Sequence, residues 1–93
     1  MMDEVAKTVV VYGSVWCGFT QYTLQQLEAL QVSYRFVDID ECPDAMQQIA
    51  EWNQGRIVRP TLDLSGVILF NPDPLTLGAE LRNCATSKQN YRH

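Results

Sequence analysis

The sequence predicts a single α/β domain in which four strands form a mixed sheet with helices on both faces. Three observations support this fold class. A near-continuous apolar run over Thr8–Tyr12 is typical of a central strand buried on both faces. Strands and helices then alternate as β-α-β-α-β-β-α, and a helix between the first two strands makes them parallel through a right-handed crossover. The two-residue turn Ser65-Gly66 makes the last two strands antiparallel.

The first half of the chain supplies the predicted β-α-β unit. After the first strand, we predict a helix over Gly18–Leu30, because Leu24, Leu27 and Leu30 recur at three-residue steps and face the core. Apolar and polar residues alternate over Val32–Asp40, and this alternation indicates the second strand.

The next helix and a hairpin follow. Pro43 fits the first position of the second helix, which ends at Asn53-Gln54-Gly55. The hairpin strands are predicted over Pro60–Leu64 and Val67–Phe70. The apolar face of the second helix consists of Met46, Ile49, Ala50 and Trp52.

The last helix begins with a capping pattern, because Asp73 is a suitable N-cap and Pro74 a suitable first helical residue. We expect residues 1–93 to form one domain with a core at about 8–85 and a frayed polar tail at 86–93. The core-facing residues of the last helix are predicted to be Leu77, Leu81 and Cys84.

The composition excludes two classes of partner. The net charge of −4 argues against nucleic acid, because phosphate binding depends on clustered Lys and Arg. No stretch approaches the roughly 18 apolar residues of a membrane span, and the acidic start Met1-Met2-Asp3-Glu4 is unlike a signal peptide. We therefore expect neither a nucleic-acid partner nor a membrane.

The cysteines are three in number and far apart in sequence, at Cys17, Cys42 and Cys84. They predict neither a disulfide framework nor a metal site, since the spacing is wrong and the single histidine, His93, is the final residue. Free thiols are usual in the cytoplasm, which is the expected location.

Cys17 lies where the first helix begins. A thiol there faces unpaired N–H groups and the positive end of the helix dipole, so its pKa falls, and the thiolate is the nucleophile of thiol–disulfide exchange. Thiol oxidoreductases often carry Cys-x-x-Cys at such a turn. Here the segment reads Cys17-Gly18-Phe19-Thr20, so the nucleophile is present and the resolving thiol is missing.

The chain resembles the glutaredoxin branch of the thioredoxin-fold superfamily. The Trp-Cys-Gly start and the late Asn71-Pro72 look most like the mycoredoxin-type glutaredoxins of actinobacteria. The resemblance is carried by Val11–Thr20, Phe36–Asp40 with Pro43, and Asn53–Thr61 followed by Gly66 and Asn71-Pro72.

The resemblance implies a thioredoxin-like fold and a substrate site around Cys17. Pro60 would follow a cis peptide bond beside the sulfur, and the backbone of Arg59-Pro60-Thr61 would position the substrate. Asp73 is either a helix cap alone or also a residue of the thiol-binding site, because the N-terminus of its helix would face an incoming carboxylate. No tightly bound cofactor is implied, and the co-substrate would be a low-molecular-weight thiol, glutathione or mycothiol.

The chain departs from the family pattern at several positions. Arg59 stands where the family usually has Val, and Ser14 stands where many glutathione users carry a basic residue. Asn71-Pro72-Asp73 replaces the Gly-Gly segment and acidic cap, and the Trp-Pro insertion of iron–sulfur glutaredoxins is missing.

Several residues have two interpretations. Cys17 is either the nucleophile or a buried structural cysteine, and Thr20 is either a helix surface residue or a donor to the Cys17 sulfur. Trp16 either packs or is exposed to support docking. Arg59 is either a solvated side chain or a cation that lowers the thiol pKa or binds a carboxylate. Cys42 is either a partly buried thiol or a reactive one.

The function predicted from these features is a thiol–disulfide oxidoreductase. Cys17 would reduce mixed disulfides between proteins and a small thiol by a monothiol mechanism, as a cytoplasmic monomer whose partners are thiolated or disulfide-containing proteins. Two alternatives stay open: a monothiol glutaredoxin that shares an iron–sulfur cluster between two copies, and a redox-inert interaction module.

Overall fold

The computed structural model describes the backbone of residues 9–91 and the side chains of residues 9–82. The elements follow the predicted order, so the α/β fold class is confirmed. The strands and helices are β1 (Val9–Gly13), α1 (Gly18–Ala29), β2 (Tyr34–Asp38), α2 (Pro43–Trp52), β3 (Thr61–Leu64), β4 (Val67–Phe70) and α3 (Pro74–Tyr91).

The four strands form one mixed sheet in the order β2-β1-β3-β4. β1 runs parallel to β2, with Gly13 opposite Asp38, and antiparallel to β3, with Tyr12 opposite Thr61. β3 pairs with β4 so that Thr61 faces Phe70. The last residues of β1, β2 and β4 and the first residue of β3 therefore lie at one end of the sheet, which we call the carboxyl end.

Helices cover both faces of the sheet, as predicted. On one face, α1 and α3 contribute Leu27 and Leu77 to a buried cluster with the β1 and β3 side chains. On the other face, α2 contributes Ala45 and Ile49, which pack with Ile39. The strand members of the first cluster are Val9, Val11, Leu62 and Leu64.

The buried face of α1 differs from the predicted one. Thr20, Thr23 and Leu27 are buried, whereas Leu30 is the C-cap and is 54% exposed, so its prediction as a core residue is wrong. The reason is the close approach of the helix to Gly13, where an added Cβ would lie 2.5 Å from Thr20 Oγ1. Only a short side chain fits between α1 and the end of β1.

Two predicted boundaries also shift. β2 is shorter than the predicted Val32–Asp40, because the chain turns after Asp38, whose Oδ1 accepts the Asp40 N–H at 3.0 Å. α3 is longer than predicted and reaches Tyr91, so most of the segment expected as a frayed tail has helical backbone. The Cys84 side chain lies outside the described residues.

The β3–β4 hairpin turns at the predicted two residues. Ser65 and Gly66 both have positive φ, 56° and 106°, as a two-residue hairpin turn requires. The Gly66 N–H donates to Asp63 Oδ1 at 2.7 Å. Among the described residues, no helix is long and apolar enough to cross a membrane.

Candidate active site

Cys17 lies at the carboxyl end of the sheet, between β1 and α1. It is the N-cap of α1, with extended φ and ψ of −86° and 122°. Its N–H donates to the Ser14 carbonyl at 3.1 Å, and its own carbonyl accepts the Gln21 N–H at 3.0 Å. The residue is 8% exposed, so the turn holds a largely buried thiol at the first turn of a helix.

The pKa of the Cys17 thiol is lowered from its ordinary value. Burial, the largest single influence, raises the pKa because it disfavours the thiolate. The backbone N–H and the hydroxyl of Thr20, the N–H of Phe19 and the charge of Arg59 all lower it, and together they outweigh burial. The helix N-terminus and Thr20 therefore favour the nucleophilic form of the sulfur.

Thr20 is fully buried, so its interpretation as a helix surface residue is wrong. Its Oγ1 accepts the Ser14 N–H at 3.4 Å. Because a hydroxyl can accept and donate at once, its proton remains for the Cys17 sulfur, whose pKa the Thr20 side chain lowers. The residue in place of a second cysteine is thus part of the thiolate environment.

Thr20→Val is expected to raise the pKa of Cys17, because valine keeps the shape of threonine and removes its hydroxyl. The rate of Cys17 alkylation rises with pH through the thiol pKa, so its midpoint should lie below the ordinary thiol pKa in the wild type and move upward in the variant. Thr20→Ser keeps the hydroxyl and is the matched control. Equal midpoints for all three proteins would contradict this role.

Arg59 contacts three residues, Ser14, Asp40 and Trp16. Its Nε donates to Ser14 Oγ at 2.7 Å, and its Nη2 donates to Asp40 Oδ1 at 3.3 Å. Its Cζ lies 5.3 Å from the centre of the Trp16 ring. Asp40 Oδ2 also accepts the Trp16 indole N–H at 2.7 Å.

The pKa of the Asp40 carboxyl is lowered, first by the hydrogen bond from Trp16, then by that from Ser14, and also by Arg59. Asp40 is therefore an anion that three neighbours hold in place. Sequence reasoning missed it as a site residue. The available signal was its position just after β2, since the carboxyl ends of parallel strands meet at the same end of a sheet.

The structure decides between the two interpretations of Trp16 and Arg59. Trp16 is 65% exposed, so it is not a core packing residue. Arg59 is partly buried and bonded on two sides, and its charge acts on Cys17, so it is not a freely solvated side chain. Val15, Phe19 and Tyr22, which lie within five residues of Cys17 in the sequence, are also exposed.

The segment before β3 has the expected form. The Arg59-Pro60 peptide bond is cis, which confirms the expectation from the resemblance. Pro60 is fully buried, and its carbonyl accepts the Asn71 N–H at 2.7 Å. This bond ties the loop after β4 to the start of β3 at the carboxyl end.

Asp73 caps α3, as predicted. Its Oδ1 accepts the Thr76 N–H at 2.7 Å, and its carbonyl accepts the Leu77 N–H at 2.9 Å. The backbone N–H and hydroxyl of Thr76, and the N–H of Leu75, lower the pKa of this carboxyl. Its role in binding a small thiol stays a prediction.

The remaining candidates are placed as follows. Gly18 is the exposed first residue of α1, and Thr61 begins β3 with its hydroxyl donating to the Val58 carbonyl at 2.9 Å. Cys42 is the half-buried N-cap of α2, so the partly buried position expected for it is confirmed. Within residues 9–82, no group of three or more metal-ligating side chains lies together.

Comparisons with known proteins agree with the fold. The family model for glutaredoxin matches residues 9–67, more than half of the chain. No curated protein matches the chain. The matched region contains Cys17 and Pro60 and ends before α3.

Three solved glutaredoxin structures share the fold. One from Archaeoglobus fulgidus has 16% identity and a TM-score of 0.71, covering 80% of this chain and 85% of its own. The holo form of glutaredoxin C1 from Populus tremula x tremuloides has 27% identity and a TM-score of 0.63, covering 85% and 79%. A wheat glutaredoxin has 22% identity and a TM-score of 0.68, also covering 85% and 79%. The chain belongs to the glutaredoxin family of thiol–disulfide oxidoreductases.

Proposed function

We propose that this glutaredoxin reduces mixed disulfides between proteins and a low-molecular-weight thiol by a monothiol route with Cys17 as the nucleophile. One observation carries the proposal: Cys17 is a thiol of lowered pKa at the start of α1, and the fourth residue of its motif is Thr20. The motif therefore holds a nucleophile and no partner for an internal disulfide.

The reaction takes two exchanges. The Cys17 thiolate attacks the small-thiol sulfur of the mixed disulfide, so a disulfide forms between Cys17 and the small thiol while the original bond breaks. The substrate protein leaves as a thiolate and takes up a proton. A second small-thiol molecule, as its thiolate, attacks the small-thiol sulfur on Cys17, and Cys17 is released together with the oxidised dimer of the small thiol.

The surroundings of Cys17 support a protein substrate. The exposed rings of Trp16 and Phe19 offer apolar contact beside a sulfur that is almost covered. The Arg59-Pro60-Thr61 backbone is held at the same end of the sheet and would position the substrate chain. In this proposal the exposed apolar side chains bind the substrate protein. The mixed disulfide of that protein needs only to reach Cys17 at the first turn of α1.

The finer assignment is also part of the proposal. The Trp16-Cys17-Gly18 start and the Asn71-Pro72 segment support a mycoredoxin-type member. In this proposal the protein acts as a monomer in the cytoplasm, where free thiols are usual. Its co-substrate is glutathione or mycothiol, and its partners are thiolated or disulfide-containing proteins.

A single-turnover reaction tests the mechanism. Reduced protein is mixed with a glutathionylated peptide and, separately, a mycothiolated peptide, and the products are read by intact mass. We expect a rapid adduct confined to Cys17 that free thiol releases. No adduct with either peptide, in the presence of a control thiol that reacts, would contradict the proposal.

Cluster binding is the second candidate, because the resemblance to monothiol glutaredoxins leaves it open and a similar solved structure, that of poplar glutaredoxin C1, is a holo form. Under this alternative, two copies of the chain would share an iron–sulfur cluster through Cys17. Visible absorbance of anaerobically purified protein that disappears in Cys17→Ser would favour it over the transferase.

A further inference from the structure

The guanidinium of Arg59 is already paired within the chain. Among the described residues, Arg59 is the cation whose charge acts on the Cys17 thiol. Its Nε is bonded to Ser14 Oγ at 2.7 Å and its Nη2 to Asp40 Oδ1 at 3.3 Å. A carboxylate brought to Cys17 by a substrate therefore meets a cation that holds an internal carboxylate.

We infer that Asp40 is a specificity-determining residue that occupies Arg59 and makes the site favour a thiol without carboxylates over a carboxylate-bearing thiol. This inference rests on the proposed function, since it concerns the small thiol whose sulfur Cys17 attacks. It assigns Asp40 to the site and names the chemical class of the preferred co-substrate.

Both carboxylate oxygens of Asp40 accept hydrogen bonds, and these bonds fix the position of the side chain. While Oδ1 accepts from Arg59, Oδ2 accepts the indole N–H of Trp16 at 2.7 Å. The backbone N–H of Asp40 is bonded to Asp38 Oδ1 at 3.0 Å, which fixes the turn that carries it. Swinging the carboxylate away from Arg59 would thus strain or break its bond to Trp16.

The negative charges around Arg59 also disfavour the binding of a second carboxylate. The last residue of β2 and the turn after it carry three acidic side chains, Asp38, Asp40 and Glu41, so this segment is acidic where it meets Arg59. A carboxylate-bearing thiol would have to displace Asp40 and then remain beside it, and like charges a few ångströms apart repel. A neutral thiol leaves the Arg59–Asp40 pair intact.

The test compares two mixed disulfides of one reporter peptide, one with glutathione, which carries carboxylates, and one with 2-mercaptoethanol, which is neutral. The readout is a ratio: the rate constant for adduct formation on Cys17 with the glutathione disulfide, divided by that with the 2-mercaptoethanol disulfide. Asp40→Asn keeps an oxygen for Trp16 and removes the charge, so this ratio should rise about two- to fivefold, the range for an exposed ion pair. High salt should shrink the rise.

Two further variants separate the causes. Glu41→Gln removes the same charge from the next, exposed residue and should leave the ratio at the wild-type value, because salt and solvent screen an exposed charge. In an Arg59→Gln background, Asp40→Asn should give a smaller rise, because no guanidinium is freed. General damage to the fold would slow the reaction of both disulfides alike, so it cannot produce the expected rise in the ratio.

Each outcome decides the inference. An unchanged ratio in Asp40→Asn, an equal rise in Glu41→Gln, or an undiminished rise in the Arg59→Gln background overturns it while the thiol-transfer reaction still stands. If the wild type forms no Cys17 adduct with either disulfide, the proposed function itself fails, and the role of Asp40 fails with it.

Discussion

Cys17→Ser is expected to reduce the rate of mixed-disulfide reduction to that of the uncatalysed exchange. The serine hydroxyl is not ionised at neutral pH and cannot form a disulfide, so neither exchange at position 17 can occur. The change in volume is small, and the bonds of the Cys17 backbone to Ser14 and Gln21 remain. Reductase turnover with a thiolated protein, together with intact mass, measures the loss.

Cys42→Ser is the matched control. Cys42 is also the N-cap of a helix, but it begins α2 and packs against the Ile39 cluster. We expect this variant to form the same adduct as the wild type and to keep its turnover. An adduct that persists in Cys17→Ser, or is lost in Cys42→Ser, would show that the nucleophile has been assigned to the wrong residue.

Gly13→Ala is expected to destabilise the fold by about 1–3 kcal/mol, the usual cost of overpacking a core. The new Cβ would lie 2.5 Å from Thr20 Oγ1 and 2.6 Å from Thr20 Cγ2. Thr20 is fully buried and β-branched, so it has little freedom to turn away. The free energy of unfolding, measured by chemical denaturation, gives the magnitude.

The same substitution should also act on the thiol. Because the alanine methyl pushes on the side chain that stabilises the Cys17 thiolate, the pKa of Cys17 should rise along with the loss of stability. A variant that is destabilised but keeps the wild-type alkylation midpoint would show that α1 shifts as a whole, with Thr20 and Cys17 together.

Gly78→Ala is the control for the stability effect. Gly78 lies inside α3, and among the described residues its added Cβ would meet only Arg82 Nη1, at the ordinary contact distance of 3.6 Å. Alanine is the better helix former, so this variant should be more stable by about 0.5–1 kcal/mol and unchanged at Cys17. Equal destabilisation in both variants would contradict the role assigned to the Gly13–Thr20 contact.

Local sequence patterns were sufficient to predict the secondary-structure elements and the position of the proposed nucleophile, Cys17. The order of strands and helices, the Ser65-Gly66 turn and the Asp73 cap each depend on a few neighbouring residues, and the structure has all of them. Cys17 at the start of α1 also follows from one segment. The α1 face was predicted less well, since apolar periodicity selected Leu30 where the close approach at Gly13 buries Thr20.

The sequence by itself determined an α/β domain with a thiol at the start of α1 and no second cysteine in the motif of that thiol. Only the tertiary structure decided which side chains surround that thiol. Ser14, Asp40 and Arg59 come from three separate loops, and the pairing of β2 and β3 with β1 brings them together at the carboxyl end. Such contacts depend on strand order, register and helix rotation, which periodicity along one segment does not specify.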